Sequence, residues 1–518
     1  MMNTDTDLII VHDKTFAVTL SAVNKMVDFI RPTYGPASNK VIISKFTHSL
    51  TVDDGVQIAR DFRLEDPAEN AIVKLVREVA IKTNDRVKDG TTGALIMVQG
   101  QINEVSRMTH WNGRKIELEL REAVKEVAKE LRKNAVKVET KEDLRKVARI
   151  SFDDPVISKL IADTYFKLGK DGLITTGFSS TDETTMDIND GIKTDTGYLS
   201  PYMVTNPDRM EVVFEKPKIL VTDYRLTEAE DVMGILNKFA AKGIHNLVII
   251  AENVEDRALA TLVINHPNVM NPHTKKPGAV MSVAIAAPRG EDMEVALEDI
   301  AMMLGAKMIS QSKGMDMKDV EIEDLGTAQQ IIVRKDETII VDPKGNKTDI
   351  SVAVTSLRTA IEAEKDEKSK EALKKRLAQF ENSVAVIKVG APTQEELKAV
   401  KYKVDNAINA VKEAFNGGVV DGSGLALARI KTRSKIMNEA LQYPSRQLRD
   451  NMGLDGDIDL DPKRVLNVVT GGVGEGLEVG VIDPVEVLIA GVESAVSITS
   501  MLITSHGILV EIPREDKK

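Results

Sequence analysis

Apolar residues recur along this chain with two different periods, and the switch between them marks how it is organised. From Gly113 to Lys133 the residues Ile116, Leu118, Leu120, Ala123, Val124, Val127 and Leu131 fall near helical spacing, with charged residues between them. A period close to 3.6 residues gathers them on one face, so the stretch predicts an amphipathic helix. Similar spacing predicts helices from about Phe16 to Phe29, Pro67 to Thr83, Ala94 to Val105 and Val485 to Leu502. Short runs at Asp7 to Val11, Lys40 to Ser44 and Ile508 to Ile512 predict strands. Residues 1–135 and those from Gly417 onward therefore read as mostly helical.

The middle of the chain reads differently. Helices at Lys141 to Ala148 and Val156 to Leu168 precede a glycine turn, Gly169 to Gly172, and a short strand, Leu173 to Thr175. Ser179 to Glu183 is a polar break, and Asn189 to Gly191 reads as a hinge with Gly191 free to take positive φ. Residues 190–380 then alternate. Strands are predicted at Glu211 to Glu215, Lys218 to Thr222, Leu247 to Ala251, Val280 to Ala287, Gln330 to Val333 and Thr338 to Val341. Helices fall between them at about Glu228 to Lys242, Asp256 to Asn265 and Met293 to Leu304, the order of an α/β domain. Asp349 to Asn382 reads as a charged, solvated helical pair broken near Lys365 to Lys368. A strand at Val384 to Val389 and a long helix at Gln394 to Phe415 lead back to the helical region.

Composition narrows the function classes. A chain of 518 residues exceeds one ordinary core, so two to four domains are expected. The formal charge is −11, from 80 acidic and 69 basic residues, which argues against a binder of nucleic-acid backbones. Aromatic residues are only 4%, which argues against recognition by base stacking. There is no cysteine, hence no disulfide framework and no thiolate metal site. Asp5, Asp7 and Asp13 interrupt any leader-like apolar run, and no apolar stretch approaches ~18 residues, so no membrane span is expected. A cytoplasmic location is the expectation.

Candidate chemistry sits in turns. Asn84-Asp85-Arg86-Val87-Lys88-Asp89-Gly90-Thr91-Thr92-Gly93 joins two predicted helices. A helix N-terminus offers unpaired N–H groups to an anion such as phosphate. Gly90 would let a ligand approach the backbone, Thr91 and Thr92 add hydroxyls, and Asp89 could hold a hard cation such as Mg²⁺. The plain alternative is an acidic helix cap. Further turns are Thr33-Tyr34-Gly35-Pro36, Asp53-Asp54-Gly55-Val56, Gly422-Ser423-Gly424 within the run from Gly417, and Gly480-Val481-Ile482-Asp483-Pro484. The glycine-rich run from Gly417 alone reads better as a helix–helix loop, and each of the others has capping or turn chemistry as its alternative. HExxH, G-x-S-x-G and Walker A patterns are absent, which leaves an unrelated hydrolase weakly supported.

In this order and context, the five pieces resemble the group I chaperonins, the GroEL type. The resemblance extends over nearly the whole chain, through Leu64-Glu65-Asp66 to Asn70, Gly197 to Tyr202, Ala251 to Val263, Glu323-Asp324-Leu325-Gly326 and Val384 to Gly390. The divergence elsewhere is similar to that of chaperonins carried by large phages. The resemblance implies a multidomain α and α/β chaperonin fold. An equatorial nucleotide-binding domain comes from residues 1–135 and 417–518, an intermediate α/β hinge domain from 136–189 and 381–416, and an α/β apical client-binding domain from 190–380. It implies ATP and Mg²⁺ as cofactors. Phosphates would rest on Thr33, Tyr34, Gly35, Pro36, Gly90, Thr91 and Thr92, with Asp53 and Gly93 beside them and Gly422, Ser423 and Gly424 forming the glycine loop. Asp89 would hold the metal, Asp54 would stand near the attacking water, Val481 would line the base pocket and Asp483 would meet the ribose. Tyr198, Ser200, Tyr202, Met203, Met233, Leu236, Leu259, Val263 and Ile264 match the groove that holds non-native protein or a co-chaperonin loop. From spacing alone, the same residues read as the core face of an α/β layer. The partners implied are unfolded proteins, a homo-oligomeric ring of seven and a co-chaperonin, without nucleic acid or membrane.

Four departures bear on activity. Asp53 stands where the family usually has lysine, Gly93 where it has a third threonine, and Ser423 interrupts a glycine triplet. Asn406 stands at the water-activating aspartate, and a neutral amide is a poor proton acceptor. Asp405 is adjacent, but neighbours on a helix point about 100° apart. The segment near Gly471 to Glu478 is also shortened, and the usual glycine–methionine tail is missing. Two functions follow from this: an ATP-regulated folding chaperone, or a nucleotide-binding holdase or scaffold with little or no hydrolysis.

Overall fold

The computed structural model of the chain describes all residues except 1–5, 12–13, 37, 45–48, 53, 153, 170–171, 180, 208, 268–277, 289–291, 365, 454–464, 468–472 and 514–518. The first elements are β1 (Thr6–Val11), α1 (Thr15–Ile30), β2 (Val41–Ser44), β3 (Ser49–Val52), α2 (Gly55–Asp61), α3 (Pro67–Val87), α4 (Thr91–Ser106), α5 (Gly113–Lys133), α6 (Lys141–Ser151) and α7 (Pro155–Leu168). Next come β4 (Leu173–Phe178), β5 (Thr185–Thr194), β6 (Val212–Glu215), β7 (Lys218–Val221), β8 (Arg225–Leu226), α8 (Ala229–Lys242), β9 (Asn246–Ala251), β10 (Asn253–Val254) and α9 (Asp256–Ile264). They are followed by β11 (Met281–Ala286), α10 (Met293–Leu304), β12 (Gly326–Val333), β13 (Thr338–Pro343), α11 (Lys347–Ala363), α12 (Glu367–Glu381) and β14 (Ser383–Val389). The last are α13 (Gln394–Gly417), β15 (Val419–Asp421), α14 (Leu425–Ala428), α15 (Lys435–Ala440), α16 (Tyr443–Asn451), β16 (Val465–Leu466), β17 (Val473–Gly474), α17 (Gly476–Val479), β18 (Ile482–Pro484), α18 (Val485–Thr504) and β19 (Ile508–Pro513).

Two compact units result. The first is discontinuous: Met1–Asp171, Thr176–Thr185 and Lys388–Lys518. Its centre is α4, which is buried on every side from Thr91 to Ile102 and enclosed by α1, α3, α15 and α18. A helix apolar all round has no solvent face to satisfy, so it belongs in a core. Around it, α5 shows the amphipathic pattern its sequence predicts. Ile116, Leu120, Ala123, Val127 and Leu131 are buried, while Asn112 caps the start by accepting from the Lys115 N–H at 3.0 Å. Each such aliphatic side chain contributes roughly 1.5–3 kcal/mol on burial, so Leu120→Ala alone would cost about 2–5 kcal/mol.

The expectation that no apolar stretch reaches membrane-spanning length is corrected here. The 20-residue helix α18, Val485–Thr504, is long and apolar enough by length and composition, with mean hydropathy 1.8. Its Val485, Ile489, Val492, Val496 and Leu502 side chains belong to the core of the first unit. The spare apolar surface is thus taken up by α3, α4 and α5, against which α18 packs.

The second unit comprises Gly172–Thr175 and Met186–Ile387. Its sheet runs β11-β9-β7-β12-β13-β5-β14, with β6 also paired to β12. The β7-β9-β11 part is parallel, as strand–helix alternation predicts. The hinge expected at Asn189 to Gly191 is instead part of β5. A Cβ at Gly191 would lie 2.1 Å from Val384 Cγ2 and 3.0 Å from the Ile340 carbonyl. Glycine is therefore required for close strand packing, not for a positive φ. The charged pair α11–α12 is tied to this unit by Arg376, whose Nε and Nη2 donate to the buried Asp299 carboxylate at 2.5 and 2.8 Å. A bidentate pair of this kind fixes the orientation of α12 as well as its position.

Candidate nucleotide site

The turn between α3 and α4 is set by two left-handed residues. Lys88, at φ +57°, ends α3 and donates its N–H to the Asn84 carbonyl at 3.0 Å. Gly90, at φ +74°, begins α4, and a Cβ there would sit 2.8 Å from Val487 Cγ1. Between them Asp89 accepts from the Gly90 N–H at 2.7 Å and from the Ser151 hydroxyl at 3.4 Å. Burial nevertheless holds its carboxyl above the usual range.

The other turns close around this one. Asp54 caps α2 by accepting from the Gln57 N–H at 3.0 Å. Gly55 is so near α4 that a Cβ would lie 2.1 Å from Thr92 Oγ1 and 3.3 Å from Thr91 Oγ1. The N-termini of α2 and α4 thus meet, with both threonines buried between them. Tyr34 stands over the first turn of α4: a Cβ at Gly93 would be 3.4 Å from Tyr34 Oη and Cε2. The Thr33 hydroxyl donates to the Ile30 carbonyl at 2.8 Å, so it secures the end of α1. Pro36 is exposed.

Antiparallel pairing of β15 with β18 places Val420 opposite Asp483. The Gly422 N–H donates to the Val481 carbonyl at 2.9 Å, which joins the glycine loop to the turn before β18. Ser423 and Gly424 both adopt positive φ, +57° and +68°. Asp483 is pushed up to about 7, first by burial and then by the charge of Asp89. Burial, then Asp483, then Asp89 also raise the Tyr34 phenol. Residues from 33–36, 54–55, 89–93, 422–424 and 481–483 are therefore brought to one place, while Asp53 lies outside the described residues.

The site gathers two carboxyls, Asp89 and Asp483, both raised by burial, and the first turns of α2 and α4. Among the described residues no group of three or more His, Cys, Asp or Glu side chains forms a metal cage. One carboxylate with phosphate oxygens is the usual way Mg²⁺ is held, so the Asp89 donor set fits that ion when a nucleotide supplies the rest.

Asn406 is half-buried on α13, and its side chain makes no hydrogen bond among the described residues. Its neighbour Asp405 is buried and occupied: it accepts from Thr176 Oγ1 at 2.5 Å and from Lys401 Nζ at 3.4 Å. The geometry agrees with the helical argument that Asp405 points elsewhere. Ser151, which touches Asp89, and Asn451, which donates to the Arg31 and Tyr34 carbonyls at 3.1 and 2.9 Å, carry no motif that would single them out.

In the second unit the apolar residues matched to a client groove divide. Tyr202 is 72% exposed and Met233 40%, and Tyr198, Leu259, Val263 and Ile264 are half-buried. Met203 and Leu236 are core residues and Ser200 is buried, so these three do not form an open surface. Leu236 lies three residues beyond Met233 on α8, yet turns inward with Val232, Ile235 and Phe239.

The sequence profile of the TCP-1/cpn60 chaperonin family matches residues 26–513, and the chain belongs to that family. Its fold is the multidomain helical and α/β chaperonin fold. Two solved structures share it, both of the chaperonin gp146 from the bacteriophage EL 2 (Pseudomonas aeruginosa) in the presence of ATP-BeFx. They superpose with TM-scores of 0.66 (crystal form II) and 0.61 (crystal form I), at 19% identity over 97% of this chain and 99% of theirs.

Proposed function

We propose that this chaperonin binds Mg²⁺–ATP in the first unit and uses it to control capture of non-native proteins by the second. The observation that carries the reading is the convergence of five separate turns on the Asp89–Asp483 pair at two helix N-termini. Burial raises the carboxyls of Asp89 and Asp483, the charge of Asp89 adding to the second, and a cation held by Asp89 would offset that charge and favour a phosphate beside it. The gp146 structures, obtained with an ATP analogue, support the same ligand here. The nested division into equatorial (1–135, 417–518), intermediate (136–189, 381–416) and apical (190–380) parts belongs to this proposal. The compact unit Met186–Ile387 supports its apical member.

Capture falls to the strip from Tyr202 and Met233 to Leu259, Val263 and Ile264, since apolar surface left open marks an interaction site. A co-chaperonin loop is the second ligand proposed for it. Assembly into a homo-oligomeric ring, of seven on the family pattern, is supported by two sheets of only two strands, β1–β19 and β2–β3. Such pairs are marginal alone and present open edges, and Ile42 and Leu509 on them are 72% and 64% exposed.

A second reading keeps nucleotide binding but removes turnover. Asn406 favours it, because the adjacent carboxylate Asp405 is held by Thr176 and Lys401. Calorimetric titration with ATP, with and without Mg²⁺, tests the site. Wild-type binding that Asp89→Ala weakens supports it, and equal affinities for the two proteins would remove it. Phosphate release with and without an unfolded client then separates folding chaperone from holdase.

A further inference from the structure

One side of the β15–β18 ladder borders a cavity of about 370 Å³, and none of the residues assigned to the nucleotide lines it. The ladder sets Asp421 opposite Ile482, and both line the cavity. Asp483 is the next residue after Ile482. Successive side chains of a strand leave opposite faces, so Asp483 is directed away from this space.

The floor is apolar and well fixed. Leu131 of α5, Ile430 just past α14 and Ile482 of β18 line it and are buried. Leu477 of α17 forms one wall, and its carbonyl accepts from Lys146 Nζ at 2.9 Å, which ties that wall to α6. Val136 and Val419 each donate an N–H to the other's carbonyl, at 2.8 and 2.9 Å, and so hold the outer edge of β15. Ala426, the residue of α14 on the lining, brings only a methyl group to the space. A cavity of this size, mostly apolar with a few polar groups, is the kind that takes a small organic ligand.

The polar groups decide which kind. Arg429 Nη1 donates to Asp421 Oδ2 at 2.5 Å, so these two charges offset each other. Glu130 remains as the net charge on the lining. Lys133 Nζ and Asn134 Nδ2 donate to its Oε1 at 3.0 and 3.3 Å, and these bonds hold its carboxyl below the usual range. It is therefore ionised at neutral pH. Its ion pair with Lys133 is exposed, and such pairs contribute little, so a second cation can share the carboxylate. Glu130 also precedes Leu131 in the chain, which puts charge and apolar floor within reach of one small molecule. An anionic head would meet Glu130 and a guanidinium already engaged by Asp421.

We propose that this cavity is a second small-molecule site, for a compact hydrophobic amine whose ring rests on Leu131, Ile430 and Ile482 and whose ammonium meets Glu130. It stands independently of the nucleotide site.

The test is calorimetric titration of the full chain with tryptamine, tryptophol and indole-3-acetate, which share one ring and differ in the charge of the head. Tryptamine should bind roughly tenfold more tightly than either of the others, the difference a charge-assisted hydrogen bond makes. Glu130→Gln should weaken tryptamine by about the same factor and leave tryptophol unchanged. Ala426→Phe places a ring in the cavity and should abolish binding of both. Leu259→Ser with Val263→Ser should leave tryptamine binding intact, which separates this cavity from the apolar strip of the second unit. Equal affinity for the three probes overturns the proposal, as does wild-type tryptamine affinity in Ala426→Phe or its loss in the α9 double variant. Should Ala426→Phe lower the melting temperature, the surface change Glu130→Gln decides, and unaltered tryptamine affinity there overturns the amine site. Absence of tryptamine binding by the wild-type protein overturns it outright.

Discussion

Asp483 and Asp89 lie close enough that the charge of Asp89, added to burial, pushes the Asp483 carboxyl up to about 7. They come from the two ends of the sequence, one on β18 and the other in the turn before α4. Their mutual repulsion in the ligand-free protein has a measurable consequence.

Between about pH 4 and about pH 7 the folded protein keeps a proton on Asp483 that the unfolded chain has already released. Folding is therefore favoured by protonation here, and this contribution is lost as pH rises through about 7. The ligand-free melting temperature should fall between about pH 4 and about pH 7 and level off above, and Asp483→Asn should flatten that fall. On the function proposed, stabilisation by Mg²⁺–ATP should grow as pH rises, because burial raises the Asp89 carboxyl and a metal held there would need it ionised. A pH profile that Asp483→Asn leaves untouched would count against the coupling.

Asn406 sets the rate prediction. The wild-type protein should release phosphate slowly or not at all. Asn406→Asp should raise turnover by up to ~10²–10⁴-fold, the usual range for general-base assistance, with similar ATP affinity. Brisk wild-type hydrolysis, unaltered by this change, would mean that another group activates water, with Asp54 at the start of α2 the first to examine.

The apolar strip makes a two-sided prediction. Leu259→Ser with Val263→Ser changes half-buried residues on one face of α9 and should abolish suppression of client aggregation while assembly persists. Leu236→Ser changes a core residue and should instead destabilise the second unit by about 2–5 kcal/mol. Aggregation assays and thermal melts read the two separately. Loss of folding in the α9 double variant would make its face part of the core.

The glycine loop offers a backbone test. At Gly424 φ is +68° and a Cβ would lie 2.7 Å from the Ser445 nitrogen. Gly424→Ala should therefore cost on the order of 2 kcal/mol or more, from left-handed strain and the clash. Ser423 already bears a left-handed φ of +57°. Ser423→Gly should stay within about 1 kcal/mol of wild type, since relief of strain is offset by a freer unfolded chain. Chemical denaturation of both variants decides this.

Much of the helical scaffold was legible, because long amphipathic periods such as that of α5 leave little freedom of interpretation. The strand β5 was not, since Thr185 to Asp190 are mostly polar and their neighbours in the sheet come from distant sequence. The pocket's turns were recognisable by residue type, but Ser151 and Asn451 were not. A lone serine or asparagine acquires its role only through the partner that folding brings to it. Burial on the second unit was the least legible, as Met233 and Leu236 show. Helical spacing identifies the apolar residues of α8, but not which of them the sheet beneath will claim.

The pairing of β1 with β19, which sets Val11 against Ile508 and Thr6 against Pro513, imposes an order on biosynthesis. The second unit, Gly172–Thr175 and Met186–Ile387, lies within one span of the chain and can consolidate while the rest is still being made. The first unit must wait, because β19, which pairs with β1, and α18 and Asp483 all follow residue 480. On the function proposed, a ribosome stalled after α13 would carry Asp89 without Asp483, so ATP binding would report that β18 has been made.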